Sequence, residues 1–198
     1  MAFIRIFLVI SIFLSLLSCG SPEIKQNNIS EPPKIIADKF AYPVSKNEYV
    51  TKAKDSKDEW YCARNLGEND HLGEDWNKNS GGNTDCGEPV YAVANGKIVY
   101  ARDAGEGWGN VIIIEHNLPD GKKVESLYGH LLEILKTSGE VKKREQIAKV
   151  GNANGRYLCH LHLEIRDETC PMWHLVGGGY SGERNGWLDP SEFIDKHR

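Results

Sequence analysis

The sequence has no basic excess. Its 198 residues hold 24 Lys and Arg against 28 Asp and Glu, a net charge of −4. A surface that neutralises a phosphate backbone needs the opposite sign, so nucleic acid is excluded as a main partner. A run of roughly 20 apolar residues, enough to cross a bilayer as a helix, is also missing. The nearest approach, residues 6–17, is broken by Ser11 and Ser15 and stopped by Cys19-Gly20-Ser21-Pro22. There is no Cys-x-x-Cys pair, which disfavours a structural zinc site, and no His-Glu-x-x-His, so a helix-borne glutamate base is ruled out. What remains, with 20 Gly, 8 Pro and 40% hydrophobic residues, fits a turn-rich globular fold of one domain with extras.

Residues 1–18 carry a single charge, Arg5, ahead of the apolar run, and this pattern reads as a secretory signal. Leu16-Leu17-Ser18-Cys19 resembles the lipobox of bacterial lipoproteins. That resemblance implies cleavage before Cys19 and acylation of Cys19 itself. Several acyl chains on one residue anchor stably where a single chain is marginal. The expected location is the cell envelope and, in a Gram-negative cell, the periplasmic face of the outer membrane, because Gly20 stands where an Asp would favour inner-membrane retention. Residues 19–40, with Asn27-Asn28 and Pro32-Pro33, read as a tether, and residues 41–198 as the folded domain. Four further cysteines, Cys62, Cys86, Cys159 and Cys170, suggest two disulfides in an exported chain. Three pairings are open. Proximity in sequence favours Cys62–Cys86, which would enclose His71 and Asp75, with Cys159–Cys170.

From residue 88 onward, short strand patterns alternate with polar turns. Residues 89–93 and 97–101 flank Asn95-Gly96, a hairpin signal. Val111-Ile112-Ile113-Ile114 is a continuous apolar run suited to a buried strand. Residues 123–129, 146–150 and 158–166 complete the set, and no long amphipathic helix is apparent. Asp189-Pro190-Ser191-Glu192 has a cap, a first-turn proline and a capping-box glutamate, which predicts a helix over 190–196. The expected fold class is mainly β, a sandwich or barrel.

Along residues 158–166, Cys159, Leu161, Leu163 and Ile165 fall on one strand face, and His160, His162, Glu164 and Arg166 on the other. Two imidazoles therefore project together. By itself this pair is as consistent with a polar outer face as with a reaction centre. His71 and Asp75 supply a second pair of good zinc donors, four residues apart in a Gly- and Asn-rich stretch. His130 ends the Tyr128-Gly129-His130-Leu131 segment.

Taken in order, His71…Asp75, Tyr128-Gly129-His130-Leu131 and His160-Leu161-His162 resemble the lysostaphin/LytM-type zinc metallopeptidases, over residues 66–196. The flanking Gly87-Glu88-Pro89-Val90-Tyr91-Ala92, Gly107-Trp108-Gly109-Asn110 and His160-Leu161-His162-Leu163-Glu164-Ile165-Arg166 agree. The resemblance implies an antiparallel β-sandwich of the duplicated-hybrid-motif type, with an active-site groove and a short C-terminal helix. It implies one Zn2+ per domain held by His71, Asp75 and His162, with His130 and His160 as catalytic residues. The implied activity is hydrolysis of peptide cross-links in peptidoglycan stem peptides, by a monomer. Some relatives have lost their ligands and instead activate other wall hydrolases, which is the alternative. Two departures are present: Glu145 stands where the family has a turn glycine, and residues 152–159 lack the usual Gly-Pro run. His116 is expected to be structural, His174 and His197 to lie at the surface, and Glu74 to lie outside the ligand set. Trp76, Trp108 and Trp173 are given no site role, since packing is the commoner use of Trp.

Overall fold

The computed structural model describes residues 34–48, 50, 52–54 and 59–198. The signal segment, Cys19 and the tether as far as residue 33 lie outside the described residues. The chain forms β1 (Trp60–Arg64), β2 (Glu74–Lys78), β3 (Pro89–Tyr91), β4 (Gly96–Asp103), β5 (Asn110–Asn117), β6 (Lys123–Leu131), β7 (Glu133–Ile134), β8 (Gly139–Val141), β9 (Gln146–Lys149), β10 (Leu161–Asp167), β11 (Trp187–Leu188) and α1 (Pro190–Lys196). The large sheet runs β1-β2-β10-β6-β5-β4-β8, with β11 added to the far end of β10, and the small sheet runs β3-β9-β7. All these strand pairings are antiparallel.

The sheets meet in one apolar cluster. Val90, Ile147 and Ala148 of the small sheet pack with Ile112, Ile114, Val124, Tyr128, Leu161, Leu163 and Ile165 of the large one. The chain is thus a mainly β sandwich with one short C-terminal helix. The Val111–Ile114 run is apolar throughout because β5 is covered on both faces. Ile112 and Ile114 enter the main core, while Val111 and Ile113 join Leu127 in a second cluster beneath Trp108. Helix α1 starts as its sequence dictates, with the Asp189 side chain accepting from the Glu192 amide and Pro190 in the first turn.

Three expectations are corrected. Asn95-Gly96 does not close a hairpin. β3 pairs with β9, and β4 pairs with β5 and β8, so the buried residues Ala92, Val93 and Ala94 carry the chain from one sheet to the other. Asn95 holds that crossing, donating to the Ile36 carbonyl and accepting from the Lys143 amide. Packing also begins before residue 41. Ala37 and Phe40 are buried in the core, the Ala37 amide donates to Asn117, and the Phe40 ring lies edge-on to Phe193 of α1.

The third correction concerns the cysteines. Cys86 bonds to Cys159, with Cα atoms 5.3 Å apart, while Cys62 and Cys170 are free. Cys159 and Cys170 sit beyond opposite ends of the seven-residue β10, which spans about 23 Å at strand rise. A disulfide tolerates Cα separations of at most about 7 Å. The loop after β2 folds toward β10, where Asn83 Oδ1 accepts from the Cys159 amide, and this brings Cys86 to Cys159 rather than to Cys62 on β1.

Candidate metal centre

Three strands and two loops assemble the site. In the register of the large sheet, His162 of β10 stands opposite Asp75 of β2 on one side and Gly129 of β6 on the other. His71 precedes β2 in a segment pinned by the Leu72 amide to Gly179 and the Ser181 amide to Asp70. One glycine makes room for the His162 ring and another for the Trp108 ring beside it. A Cβ on Gly73 would lie 2.4 Å from the Leu163 carbonyl and 2.9 Å from the imidazole, and one on Gly129 would press on the Trp108 ring at 3.0 Å.

Asp75 Oδ1 lies 3.0 Å from His162 Nδ1 and 3.2 Å from His71 Nε2, and those two nitrogens are 3.0 Å apart. Zn–N and Zn–O bonds of about 2.0–2.2 Å in a tetrahedron put neighbouring donors about 3.3–3.6 Å apart. Two imidazole nitrogens and a carboxylate oxygen already converge to within a few tenths of that, so the donor set fits a zinc ion. All three residues are buried, yet they line one wall of a cavity of about 550 Å3. Three protein donors facing open space is the arrangement of a catalytic rather than a structural zinc site.

His130 and His160 line the same cavity, with ring centroids 4.7 Å apart. His130 Nδ1 lies 3.2 Å from the Trp108 carbonyl and His160 Nδ1 2.9 Å from the Leu158 carbonyl. A carbonyl only accepts, so Nδ1 carries the proton in each neutral ring and Nε2 is left basic. His160 Nε2 sits 3.7 Å from Asp75 Oδ1. The His130 backbone is in the left-handed region, at φ 63°, a conformation rare outside glycine and concentrated at functional positions.

The electrostatics divide the histidines. Burial, together with the neighbouring His162 and His160 rings, pushes His130 down to about 3, and burial also lowers His160. Both are neutral bases at pH 7. Burial opposes charge on His162 as well, but Asp75 and Glu164 outweigh it and raise the ring to about 9. Burial alone would raise Asp75, whereas hydrogen bonds from His162 and His71 hold it well below the usual carboxylate range. The space between Asp75 and Glu164 therefore favours a positive charge, which either a proton or a metal ion satisfies.

The five residues singled out from the sequence come together in this one cavity. Others nearby were missed. Trp108 lines the cavity, stacks on His130 at 5.8 Å and anchors its indole N–H on Gly177; the Gly107-Trp108-Gly109-Asn110 segment carried it, but no site role was assigned. Arg64, Tyr157 and Tyr180 also line the cavity, and Arg64 donates to the Tyr180 hydroxyl while lying 3.7 Å from Asp75 Oδ2. They sit in loops or at a strand end, where no periodicity flags them. Glu74 lies outside the ligand set and is fully buried, held by Lys52 at 2.5 Å and by the Ser191 and Trp76 side chains. His116 is buried as expected. His174 lies partly exposed at the surface, as expected, where its Nε2 reaches Glu115 at 3.0 Å and its amide donates to Glu125.

Outer membrane antigenic lipoprotein B of Histophilus somni is 46% identical over 81 residues, 40% of this chain and 23% of its own length. Murein hydrolase activator NlpD of Escherichia coli (strain K12) is 40% identical over 81 residues, 40% of this chain and 20% of its own. The chain therefore matches under a quarter of either relative. The SpoIIQ–SpoIIIAH pore-forming complex has a chain with TM-score 0.52 at 21% identity, over 81% of this chain and 93% of that one, a likeness of fold alone. A profile of peptidase family M23 matches residues 70–173, more than half of the chain and a span that holds all five site residues, so the chain belongs to peptidase family M23.

Proposed function

We propose that this chain is a zinc-dependent endopeptidase that hydrolyses the peptide cross-links of bacterial peptidoglycan. The observation that carries this reading is the convergence of His71 Nε2, Asp75 Oδ1 and His162 Nδ1 at 3.0–3.2 Å beside the basic imidazoles of His130 and His160. Zinc, held by His71, Asp75 and His162, supplies Lewis acidity that makes water nucleophilic near neutral pH and polarises a scissile carbonyl. The chain's own groups do the rest. A neutral Nε2 of His130 or His160 takes the proton of the attacking water. The resulting imidazolium returns it to the leaving amine or stabilises the tetrahedral oxyanion. Trp108 and Tyr157 wall the cavity around these rings.

The envelope location belongs to the same reading. A chain cleaved before Cys19 and acylated there, tethered by the residues ahead of the core residue Ala37, would hold the catalytic domain beside the polymer on an outer membrane. That the Histophilus somni relative is an outer membrane antigenic lipoprotein supports this.

A second reading is favoured by one observation, the name of the Escherichia coli relative, a murein hydrolase activator. In that reading the domain binds peptidoglycan without turnover. The retention of a complete donor set with two basic imidazoles beside it argues for turnover. Digestion of defined cross-linked muropeptides by the zinc-loaded chain, with products read by mass, separates the two. Peptide cleavage that is lost with zinc supports the endopeptidase, and zinc-loaded protein that cuts none of them supports the activator.

A further inference from the structure

Strand β10 is buried on both faces. Leu161, Leu163 and Ile165 fill the core, and on the opposite face His162, Glu164 and Arg166 are at most 2% exposed. A row of ionisable side chains this deep costs several kcal/mol per unpaired ion, so each must be matched by partners.

The partners form a line. Glu164 Oε1 lies 3.1 Å from His162 Nε2. Glu164 Oε2 accepts from the Trp187 indole N–H at 2.8 Å and faces Arg166 Nη1 at 3.7 Å. Arg166 Nη2 in turn pairs with Glu125 at 2.6 Å, and its Nη1 donates to the Leu175 carbonyl. An indole N–H only donates and so takes Oε2 as its acceptor, Arg166 adds charge rather than a hydrogen bond at that distance, and an ionised carboxylate has only acceptors to offer. Its Oε1 must then receive a proton from His162 Nε2.

We propose that Glu164 is a positioning residue for the metal centre: by accepting the proton of His162 Nε2 it turns the Nδ1 lone pair toward Asp75 Oδ1 and His71 Nε2. This rests on the zinc reading of the site, not on catalysis. Trp187 and Arg166 hold the carboxylate in place, and the alternation of β10 puts ligand, acceptor and guanidinium on one face at every second residue. The arrangement explains why a carboxylate is required. Glutamine has one acceptor oxygen, so an amide at 164 faces either His162 or Trp187 with an N–H2 group.

The test uses the intact protein in detergent, with zinc affinity measured by chelator competition. Glu164→Gln should weaken zinc binding about 10- to 100-fold, the usual effect of losing an outer partner of a ligating histidine. Trp187→Phe alone should leave affinity near the wild type. The double variant should regain part of the loss, because without the indole donor the amide oxygen is free to turn to His162, a rescue that mere structural support would not give. Spectra of the 113Cd-loaded wild type should show coupling to His162 Nδ1 with the proton on Nε2, and this readout stands even if Glu164→Gln fails to fold. Wild-type affinity in Glu164→Gln, an unrescued double variant, or ligation through Nε2 overturns the assignment alone. A wild type that takes up no metal overturns the zinc reading and this assignment together.

Discussion

Asp75 and His162 stand opposite each other on neighbouring strands, with Asp75 Oδ1 3.0 Å from His162 Nδ1. The sheet itself, rather than a loop, sets this distance, and a site held by strand register keeps its geometry when one ligand is changed conservatively. Asp75→Asn preserves size and removes the charge. It should lower zinc affinity by more than the roughly 100-fold upper limit for outer partners and leave the fold intact. Metal analysis after dialysis, beside a melting curve, checks this. Full zinc occupancy in a folded Asp75→Asn protein would show that the donor set is wrong.

His130 and His160 should be separable from the ligands by the same measurements. Their Nδ1 protons are taken by backbone carbonyls, so they offer Nε2 as bases rather than as a fourth and fifth anchor. His130→Ala should reduce kcat on a cross-linked muropeptide by about 10²–10⁴, the range for loss of a general acid–base group, with about one zinc per chain retained. Loss of zinc in parallel with activity would reassign His130 to the ligands.

Much of this site was legible because strand alternation and residue chemistry coincide. The residues after Leu158 announce their two faces, and His162 and Leu163 lie where that alternation puts them. The helix at 190–196 was equally plain, since its cap, proline and capping-box glutamate are local signals. What could not be read depends on which sheet a segment joins. Asn95-Gly96 has the composition of a hairpin turn, but the apolar residues before it cross between sheets and pair elsewhere. The disulfide failed for a related reason: proximity along the chain favoured Cys159–Cys170, whereas β10 holds those residues a full strand length apart. Trp108 and Tyr180 reach the cavity from irregular loops, where no period in the sequence marks a direction.

His116 should make the stability of the fold sensitive to acid. Its ring is fully buried, with Nδ1 on the Asn95 carbonyl and Nε2 on the Ser126 hydroxyl. Burial outweighs the carbonyl and lowers its pKa from 6.5 to about 4. Between those values the unfolded chain binds the proton and the folded one does not. The contribution is therefore fully present above pH 6.5 and is lost as pH falls toward 4, amounting to about 3 kcal/mol. His116→Gln should be less stable at pH 7 by about 1–3 kcal/mol for its imperfect hydrogen bonds, with a flatter acid limb. Urea unfolding of both proteins from pH 7 to 4 reads the difference. Parallel curves would mean that His116 does not titrate on unfolding.

The Cys86–Cys159 disulfide should matter for the site as well as for stability. It joins residues 73 apart in sequence, and a loop of that length contributes about 4 kcal/mol in the chain-entropy view. It also ends one residue before His160, whose ring and carbonyl neighbours line the cavity. Cys86→Ser with Cys159→Ser should lower stability by a comparable amount. In the fraction that stays folded, it should reduce kcat more than zinc affinity, because His162 is held independently by β2 and β6. Peptide mapping of the oxidised wild type should recover the 86–159 linkage, with Cys62 and Cys170 as free thiols. Recovery of Cys62 bonded to Cys86 would overturn both the linkage and the placement of the 79–88 loop against β10.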